Sequence, residues 1–506
     1  MNHSSTIDTS AWPFDTVLVA NRGEIAVRIL RTVRALGLTG VVVYHAADRD
    51  APAVALADKA VEIHGDTPVA AYLDADQVLN AARETGAGAI HPGYGFLSEN
   101  ADFARAVADA GLIFVGPTPE QIELMGDKVR ARAFVEQGGF PVAPSAIEDD
   151  DPASFLERAK QVALPLLIKP AAGGGGKGMH VVREAEQLEA AIERARSEGQ
   201  RYFGDGRLYV EKYIENPRHI EVQIIGDAHG NVVHLFEREC SVQRRFQKIV
   251  EESPSPALDD KLRAEICETA AGIARKAGYQ NAGTVEFIFG QTTNGDAEFY
   301  FLETNTRLQV EHPVTEAITG IDLVAEQLRI AADEKLGYEQ AEITSQGHAI
   351  ELRIYAEDAA SGFTPTTGPV LVWQEPTGDG IRMDSGIIAG QQVTAAFDPM
   401  LAKLIVYGAS RDEARERAIK ALKELVLLGC QTNIDFLRRL LQHPAFISGD
   451  VHTGFLDANP QIAAEPEISQ ETLNKLLATA ALSTRPMRDV ADTVPSLHAQ
   501  IGAWRN

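Results

Sequence analysis

The chain has 506 residues, of which 45% are hydrophobic and 24% charged, a size and balance typical of a globular protein with about three folded units. Its 47 basic and 72 acidic residues give a formal net charge of −25, which argues against nucleic acid and anionic membranes as general partners. The three cysteines show no CxxC spacing and cannot form a disulfide framework. The sequence shows no signal peptide and no apolar run of about 18 residues, so we expect a cytoplasmic protein without a membrane-spanning helix.

The first predicted unit, residues 14–125, alternates short apolar strands with helical segments. After a strand at Val17–Ala20, apolar residues recur at helical spacing over Ile25–Leu36. Further strands are predicted at Gly40–Tyr44, Ala60–Ile63, Ala89–His91 and Leu112–Val115. This alternation predicts a doubly wound parallel sheet, and the lack of a GxGxxG motif after the first strand weakens the case for dinucleotide binding.

A glycine-rich loop characterises the next unit, a small predicted lid domain over residues 145–213 that follows a linker at 126–144. The predicted elements are strands at Ala163–Lys169 and Met179–Val182, the loop between them at Ala172–Gly178, a helix at Glu184–Ser197 and a strand at Arg207–Tyr213. Consecutive glycines let backbone amides approach an anion, and Lys169 and Lys177 add positive charge. The pattern is not the Walker motif, because no GK[ST] opens a helix. We interpret the loop as a phosphate-binding lid, with a flexible surface turn as the alternative.

The remaining chain divides into a predicted catalytic domain at 214–346, a C-terminal domain at 347–456 and a helix with a tail at 457–506. An antiparallel sheet is predicted from strands at Glu221–Ile225, Val232–Glu237, Gly283–Phe289 and Ala297–Leu302. The C-terminal domain combines short strands with a helix at Arg411–Leu427. In the last segment Ser469 can cap a helix with an apolar stripe of Leu473, Leu476, Leu477 and Ala480. That stripe needs a covering surface, either on this chain's own third domain or on a partner protein, and we favour the partner.

Polar side chains alternate with apolar ones from Glu303 to Glu311, directly after an apolar segment. If a strand continues through them, one face carries Glu303, Asn305, Arg307, Gln309 and Glu311. Carboxylate and amide oxygens suit Mg²⁺ or Mn²⁺. Glu286 lies in another apolar strand, and a metal shared with Glu303 would supply the partner that a buried carboxylate needs. A solvated edge strand is the alternative interpretation.

Three further signals are weaker. His91–Gly95 is a turn after a strand end, where ligand-binding residues concentrate in α/β sheets. The segment Gln243–Lys248 is polar and precedes two glutamates, and a solvated loop explains it equally well. His219 is a weak candidate for a binding residue, because a histidine is more often packed in the core or exposed on the surface than used to bind a ligand.

Taken in chain order, these motifs resemble those of biotin carboxylase, the ATP-grasp component of biotin-dependent carboxylases. The matching blocks are Asn21–Ala26, His91–Gly95, Met125–Lys128, the glycine-rich loop, Glu211–Tyr213, Gln243–Arg245 and Glu303–Glu316. The resemblance spans residues 14–456 and implies an α/β ATP-grasp fold with an N-terminal doubly wound parallel sheet, a small glycine-rich lid domain and a C-terminal, mainly antiparallel α+β domain. The implied activity is ATP- and bicarbonate-dependent carboxylation of biotin through carboxyphosphate, the first half-reaction of an acyl-CoA carboxylase.

The resemblance also implies roles for individual residues. Nucleotide phosphates would be held by Lys128, Lys169, Gly175 and Gly176, and the adenine hinge would comprise Glu211, Lys212, Tyr213 and Ile214, with His219 and Gln243 also at the nucleotide. The metal ligands would be Glu286, Glu303 and Asn305. Bicarbonate would be surrounded by Lys248, Arg307, Gln309 and Val310, with Glu311 as its general base. Arg382 would lie near biotin and stabilise its enolate.

Departures from the family pattern affect the nucleotide site and the carrier. Phe246 stands where many relatives have a polar residue, often histidine, that reaches the nucleotide phosphates, and Ala172 replaces a lid glycine of some relatives. The chain contains no Ala-Met-Lys-Met biotinylation motif, so biotin is expected on a separate carrier protein or domain. A carboxyltransferase subunit is the second expected partner, and the expected assembly is a homodimer or a larger complex.

Two other functions compete with this interpretation. A different ATP-grasp ligase, such as a carbamoyl-phosphate synthetase or a peptide ligase, would share the glycine lid and the metal acids but not the Arg307–His312 segment or Arg382. A catalytically silent scaffold is the second alternative. The argument against it is the retention of the expected catalytic and metal-binding residues Lys248, Glu286, Glu303, Arg307 and Glu311.

Overall fold

The computed structural model describes residues 8–148, 153–170, 179–203, 206–292, 295–464 and 469–483. The chain divides into two units, Met1–Ile462 and Ala463–Asn506. The predicted loop Ala172–Gly178, with Gly175 and Gly176, lies outside the described residues, as does the predicted tail beyond residue 483. Within the described ranges, no helix has both the length and the hydrophobicity needed to cross a lipid bilayer.

The N-terminal sheet of the described chain is parallel throughout, with its strands in the order β3-β2-β1-β4-β5. These strands are β1 (Thr16–Val19), β2 (Thr39–Tyr44), β3 (Lys59–Glu62), β4 (Ala89–His91) and β5 (Ile113–Phe114). The helices of this region are α1 (Gly23–Ala35), α2 (Pro52–Leu56), α3 (Pro68–Tyr72), α4 (Ala75–Thr85), α5 (Ala101–Asp109), α6 (Pro119–Gly126) and α7 (Lys128–Gln137). Helix α4 begins where Asp74 accepts a hydrogen bond from the Gln77 amide, and it ends at Gly86, whose φ of +75° favours glycine. The predicted doubly wound parallel sheet is confirmed.

The lid region contains an antiparallel sheet in the order β6-β9-β7-β8. Its strands are β6 (Ser145–Ile147), β7 (Leu166–Pro170), β8 (His180–Val182) and β9 (Leu208–Lys212), and its helices are α8 (Phe155–Ala159) and α9 (Leu188–Phe203). Leu166, Ile168 and Val210 of the sheet pack with Ala195 of α9 in a separate hydrophobic cluster. The predicted small sheet is therefore present, and its helix α9 begins four residues and ends six residues later than predicted.

A large antiparallel sheet of the described residues follows, in the order β14-β13-β10-β11-β12-β15-β22-β20. Its strands are β10 (Arg218–Gly226), β11 (Val232–Arg244), β12 (Gln247–Ser253), β13 (Asn281–Gln291), β14 (Ala297–Asn305), β15 (His348–Tyr355), β20 (Ile381–Ser385) and β22 (Met400–Gly408). Because β12 pairs with β15, this one sheet runs across the predicted boundary at 346/347. The domain boundaries themselves stay predictions.

Short strand pairs and helices complete the first unit. The strand pairs are β16 (Glu357–Asp358) with β17 (Thr364–Pro365), β18 (Gly368–Pro369) with β21 (Gln392–Val393), and β19 (Val372–Gln374) with β23 (Val426–Leu428). The helices are α10 (Asp260–Lys276), α11 (His312–Thr319), α12 (Leu323–Ala331), α13 (Arg411–Glu424), α14 (Ile434–Leu441), α15 (Pro444–Ser448) and α16 (Phe455–Ala458). The helix predicted to reach residue 427 ends at Glu424, because the residues after it pair with β19.

The second unit contains one described helix, α17 (Gln470–Ser483). The Thr472 amide donates a hydrogen bond to the Ser469 hydroxyl at 3.2 Å, so the predicted cap is confirmed. Leu473, Leu476 and Leu477 are exposed on this helix. What covers the apolar stripe stays a prediction.

Candidate active site

Two carboxylates lie opposite each other on neighbouring strands of the large sheet. Glu286 on β13 is the cross-strand partner of Glu303 on β14. Glu286 is buried, and its Oε1 accepts hydrogen bonds from Asn305 Nδ2 at 2.8 Å and Gln309 Nε2 at 2.9 Å. His219 Nε2 lies 2.9 Å from the other oxygen. The two predicted metal-binding glutamates are therefore neighbours on adjacent strands.

The predicted polar strand from Glu303 to Glu311 is wrong beyond Asn305, where β14 ends. The Thr306 amide donates to the side chain of Glu99 at 3.1 Å instead of to a strand partner, and α11 begins at His312. A loop thus connects strand and helix, and strict alternation does not apply to it. Arg307, Gln309 and Glu311 of this loop nevertheless line one cavity together with Glu303 and Asn305.

Arg307 is held in this loop by two side-chain acceptors and by the backbone oxygen of Leu308. Its Nε donates to Glu99 Oε2 at 2.8 Å, and its Nη2 donates to Asn305 Oδ1 at 2.9 Å. Gln309 is held from the sheet side, since Arg238 of β11 donates to its Oε1 at 3.0 Å. These contacts orient both side chains.

Lys248 on β12 occupies the centre of the site. Its Nζ donates to Glu221 Oε2 at 2.6 Å, Glu286 Oε1 at 3.0 Å and Glu311 Oε1 at 2.6 Å. Burial works against the charge of Lys248, but these carboxylates outweigh it and raise the pKa of the ammonium well above its ordinary value. The lysine is therefore charged and neutralises acids from separate elements.

Glu311 stands at the end of the loop, directly before α11, and is buried. Its Oε1 accepts from Lys248, and its Oε2 accepts from Arg353 Nη2 at 3.1 Å. Burial alone would raise the pKa of Glu311, but Lys248, Arg353 and Arg238 hold it well below its ordinary value. Glu311 is thus an ionised carboxylate at neutral pH, able to accept a proton.

A cavity of about 630 Å³ gathers most of the predicted site. The predicted residues that line it are Lys128, His219, Gln243, Lys248, Glu286, Glu303, Asn305, Arg307, Gln309, Val310 and Glu311. Lys128, predicted to hold phosphate, pairs here with Glu303 at 2.5 Å. The predicted residues come from five strands, one loop and the start of α7, and they meet around one volume large enough for a small substrate.

The predicted hinge residues do not line this cavity and lie on the lid sheet or directly after it. Lys169 of β7 pairs with Glu211 of β9 at 2.7 Å. Lys212 pairs with Glu298, and the Tyr213 amide donates to the backbone oxygen of Pro165. Ile214, which follows, is buried. Nucleotide binding by these residues stays a prediction.

Arg382 also lies apart from the main cavity. Its guanidinium donates to Glu316 Oε2 at 2.6 Å and to Asp384 Oδ2 at 2.7 Å. With these partners it lines a second cavity of about 480 Å³, which also contains Arg28. The predicted contact of Arg382 with biotin remains a prediction.

The segment around Phe246 is a tight hairpin whose two turn residues are exposed to solvent. Arg244 of β11 pairs with Gln247 of β12, and the two residues between them, Arg245 and Phe246, have φ of +49° and +69°. Side chains other than asparagine, aspartate or glycine rarely adopt this conformation, so the turn is strained. Phe246 is 91% exposed and borders the main cavity, where the family pattern has a polar residue.

Three buried charged residues at the site were not predicted from the sequence. Glu221, Arg238 and Arg353 lie on β10, β11 and β15 and contact the predicted residues directly. Glu221, between Ile220 and Val222, and Arg353, between Leu352 and Ile354, each interrupt an apolar strand pattern, and that signal could have identified them. Arg238 lies between two other charged residues and gave no such signal.

The donor atoms present fit a hard divalent cation. Burial would raise the pKa of Glu286, but Lys248 and His219 hold it well below its ordinary value, so its carboxylate is ionised. Glu303 and Asn305 add further oxygens beside it. A second donor set, His219, Glu221 and Glu286, has its ligand atoms within 4.8 Å of one another.

Family models match three consecutive parts of the chain. Residues 13–122 match "Biotin carboxylase, N-terminal domain", residues 127–339 match "Carbamoyl-phosphate synthase L chain, ATP binding domain", and residues 351–458 match "Biotin carboxylase C-terminal domain". The middle model is named after carbamoyl-phosphate synthase, the competing ligase, whereas the flanking two are named after biotin carboxylase.

Whole proteins show the same relationship. The biotin carboxylase of Halalkalibacterium halodurans is 50% identical over 447 residues, which cover 88% of this chain and 97% of that protein. The alpha3 subunit of the biotin-dependent acyl-coenzyme A carboxylase of Mycobacterium leprae is 48% identical over 482 residues, covering 94% of this chain and 78% of that subunit.

A solved structure agrees in fold as well as in sequence. The biotin carboxylase domain dimer of the Hydrogenobacter thermophilus 2-oxoglutarate carboxylase, in complex with MgADP, ADP and bicarbonate, is 42% identical with a TM-score of 0.79. The match covers 90% of this chain and 99% of that one, and it confirms the predicted ATP-grasp fold. The chain therefore belongs to the biotin carboxylase family, whose ATP-grasp enzymes carry out the ATP-dependent carboxylation of biotin, the first half-reaction of biotin-dependent carboxylases.

Proposed function

We propose that this chain uses ATP and bicarbonate to carboxylate biotin held on a separate carrier protein or domain, with Glu311 as the general base. The observation that carries the proposal is the triple contact of Lys248, which ties Glu311 to Glu221 and Glu286 inside one cavity. The related Hydrogenobacter thermophilus domain is known in complex with MgADP and bicarbonate, which supports the same substrates here.

Glu311 performs the first proton transfer in this proposal. Bicarbonate is a weak nucleophile, and the adjacent ionised carboxylate of Glu311 takes the bicarbonate proton as a bicarbonate oxygen bonds to the γ-phosphorus of ATP. The bond between that phosphorus and the bridging oxygen breaks, so the products are carboxyphosphate and ADP. Lys248 depresses the proton affinity of Glu311. A bound anion that shares the Lys248 ammonium weakens this effect, so substrate binding strengthens the base at the moment it is used.

Arg307 and Gln309 position the anion. Arg307 keeps a fixed positive charge beside the cavity because Glu99 and Asn305 hold its guanidinium. A fixed cation meets developing negative charge without the cost of reorganisation. Gln309 is oriented by Arg238 and offers its amide to Glu286, so its position is coupled to the metal acids.

Glu286, Glu303 and Asn305 are the proposed ligands of Mg²⁺ or Mn²⁺. When bound, the metal offsets negative charge on the phosphoryl oxygens of ATP. Lys128 forms an ion pair with Glu303 in this structure and thereby neutralises its carboxylate.

Replacing Glu303 with alanine is expected to raise the Mg²⁺ concentration needed for half-maximal activity about tenfold and to slow turnover, because one hard oxygen ligand is lost. The measurement is a Mg²⁺ titration of ATP hydrolysis. Glu268→Ala, which removes an exposed acid paired with Arg275 on α10, is the matched control. An unchanged Mg²⁺ dependence in Glu303→Ala would remove this residue from the metal site.

Bicarbonate-dependent ATP hydrolysis that is stimulated by free biotin tests the function as a whole. The purified chain should hydrolyse ATP slowly with bicarbonate and faster when biotin is added. A different ATP-grasp ligase would show no response to biotin, and a silent scaffold would show no hydrolysis under either condition.

The partners follow from the same proposal. We propose a biotin carrier and a carboxyltransferase as partners, a homodimer or larger complex as the assembly, and an acyl-CoA as the final acceptor. A related acyl-coenzyme A carboxylase subunit matches 94% of this chain, and a related domain is a dimer, which supports this combination.

Truncation separates assembly from catalysis. Removing residues 465–506 is expected to preserve biotin-dependent ATP hydrolysis, because the main cavity is built from residues before Ile462. Co-purification with the carrier or carboxyltransferase partner should weaken, since the exposed leucines of α17 would be lost. Loss of ATPase activity or unfolding of the truncated chain would show that this segment belongs to the catalytic fold.

A further inference from the structure

The chain crosses between the lid sheet and the large sheet twice, and both crossings contact strand β14. On the outward crossing, Val142 forms a parallel bridge with Phe301, whose amide donates to the backbone oxygen of Pro141 at 2.9 Å. On the return crossing, Lys212 at the end of β9 forms an ion pair with Glu298 of β14. One edge of the large sheet therefore holds both connections of the lid region.

The ion pair between Lys212 and Glu298 is sheltered from water and includes a third side chain. The two charged side chains are 12% and 11% exposed, and the Tyr300 hydroxyl donates to the same Glu298 oxygen at 3.0 Å. The Lys212 ammonium also lies 5.7 Å from the centroid of the Tyr300 ring. Burial would lower the pKa of Lys212, but Glu298 and Tyr300 raise it above its ordinary value, so the lysine is charged at neutral pH.

Ile214 holds the return crossing against the neighbouring strand β13. Gly290 of β13 is the cross-strand partner of Glu298, and a Cβ on Gly290 would collide with Ile214 Cγ2. The glycine therefore lets the buried side chain of Ile214 lie directly against the backbone of β13. Lys212 and Ile214 thus contact the two members of one cross-strand pair, the first by charge and the second by packing.

The same two strands carry the proposed metal ligands at their other ends. Glu286 lies four residues before Gly290 on β13, and Glu303 lies five residues after Glu298 on β14. At the usual rise of a strand these separations are about 13–17 Å. Two hydrogen-bonded strands therefore connect the crossing of the lid to the metal-binding glutamates.

We infer that Lys212, Glu298 and Tyr300 are positioning residues, which hold the lid on β13 and β14 in the orientation that binds nucleotide beside the metal acids. The inference rests on the proposed use of ATP. Without the ion pair the lid samples more orientations, and the apparent affinity for nucleotide falls with the fraction of molecules in the competent one. Turnover at saturating ATP changes little, because bound nucleotide selects that orientation. The competing explanations are a direct contact of the Lys212 side chain with nucleotide and a contribution of the pair to stability alone.

The test compares Lys212→Met, Glu298→Gln and the exchanged pair Lys212→Glu with Glu298→Lys, all in the full chain. Arg196→Met is the matched control, because Arg196 pairs with buried Glu148 at 2.6 Å within the lid region and does not line the main cavity. It removes a partly buried ion pair of the lid without touching the crossing. Readouts are the affinity for MgADP by calorimetry, KM for ATP and kcat in bicarbonate-dependent ATP hydrolysis, and thermal unfolding.

Lid orientation is measured directly by the distance between two spin labels. The labels are attached at Glu189→Cys on α9 and Lys261→Cys on α10, both exposed positions, in a Cys430→Ser background, since Cys240 and Cys267 are buried. Without nucleotide, Lys212→Met and Glu298→Gln should broaden the distance distribution of the parent, and MgADP should narrow it again. An unchanged distribution in both variants would overturn the inference.

We expect Lys212→Met and Glu298→Gln each to weaken MgADP binding and to raise KM for ATP about 5- to 20-fold, with kcat within about threefold of the parent. The exchanged pair should recover part of the affinity, because the ion pair forms again with reversed polarity. Arg196→Met should bind MgADP like the parent even where its thermal stability is lower.

Two results would assign the effect to a competing explanation and overturn the inference. A loss of affinity in Lys212→Met alone, with Glu298→Gln like the parent, would show that the lysine contacts nucleotide directly. An equal loss in Arg196→Met would show that general destabilisation of the lid is the cause. The lid distances and the MgADP affinity do not depend on carboxylation, so a chain that binds MgADP without responding to biotin would refute the proposed function while these measurements still decide the inference.

Discussion

The Glu311→Gln variant should lose about 10²–10⁴ in kcat for biotin carboxylation while its affinity for ATP stays close to that of the parent. Glutamine keeps the shape of the side chain and can still accept a hydrogen bond from Lys248 or Arg353, but it cannot take a proton from bicarbonate. Glu311 is ionised in the folded protein because Lys248, Arg353 and Arg238 outweigh its burial. Steady-state kinetics of ADP release with biotin, together with direct nucleotide binding, measure the two quantities separately.

Glu252→Gln is the matched control for this substitution. Glu252 is as deeply buried as Glu311, and its pKa is held at about 2, against its burial, by His348 and Arg411. It lies on the same strand as Lys248 but outside the main cavity, so its loss should affect stability more than kcat. Parental turnover in Glu311→Gln would exclude this residue as the base. Equal losses of kcat in both variants would indicate damage to the fold instead.

Lys248→Met should have the second large effect, on both rate and stability. Methionine fills a similar volume but leaves Glu221, Glu286 and Glu311 without their shared cation. Removing one partner from a buried ion pair costs about 3–5 kcal/mol in unfolding free energy. We expect kcat to fall at least about 100-fold, because the site loses the charge that faces the reacting anions.

The stability lost in Lys248→Met is expected to depend on pH, and the pKa values of the buried carboxylates determine in which direction. In the parent, the lowered pKa values of Glu286 and Glu311 contribute stability above the unfolded value of about 4.5, and this contribution is lost as the pH falls through the folded values. In Lys248→Met these pKa values rise, so the folded state binds protons more readily. The deficit in unfolding free energy should therefore be smaller at pH 5 than at pH 8.

Denaturant unfolding at both pH values measures this difference. Arg263→Met is the matched control, since it removes the partner of buried Glu237 at 2.9 Å away from the main cavity. That variant should lose stability but keep its kcat. A Lys248→Met protein with parental stability at pH 8 would show that the three carboxylates are neutralised by other groups.

Local sequence patterns were sufficient to predict the strands and helices that each bury one continuous apolar surface. The runs at Val17–Ala20 and Ala89–His91 predicted parallel strands covered on both faces, and the structure buries them completely. The cap at Ser469 was equally local, because its hydroxyl bonds an amide three residues away. Such features depend on neighbours in sequence, so the chain alone determines them.

The sequence also identified most residues that line the main cavity, but not how they are arranged there. Strand periodicity placed Arg307, Gln309 and Glu311 on one strand face, whereas the structure ends that strand at Asn305 and turns the chain toward α11. The polar side chains do line the cavity, but not through alternation, since Val310 lies between Gln309 and Glu311 and lines the cavity as well. Arg307 reaches the cavity from a loop that Glu99 supports, and not from a pleated strand.

Only the tertiary structure showed which charges share a contact. Lys248 meets Glu221 and Glu311 across 27 and 63 residues of sequence, and Arg353 reaches Glu311 across 42. An apolar strand pattern reveals which residues are buried but not which strands become neighbours, since that depends on how the eight strands of the large sheet are ordered. Buried charges are stable only beside opposite charges, so the sequence by itself determined that partners must exist, and the packing of the sheet determined which residues they are.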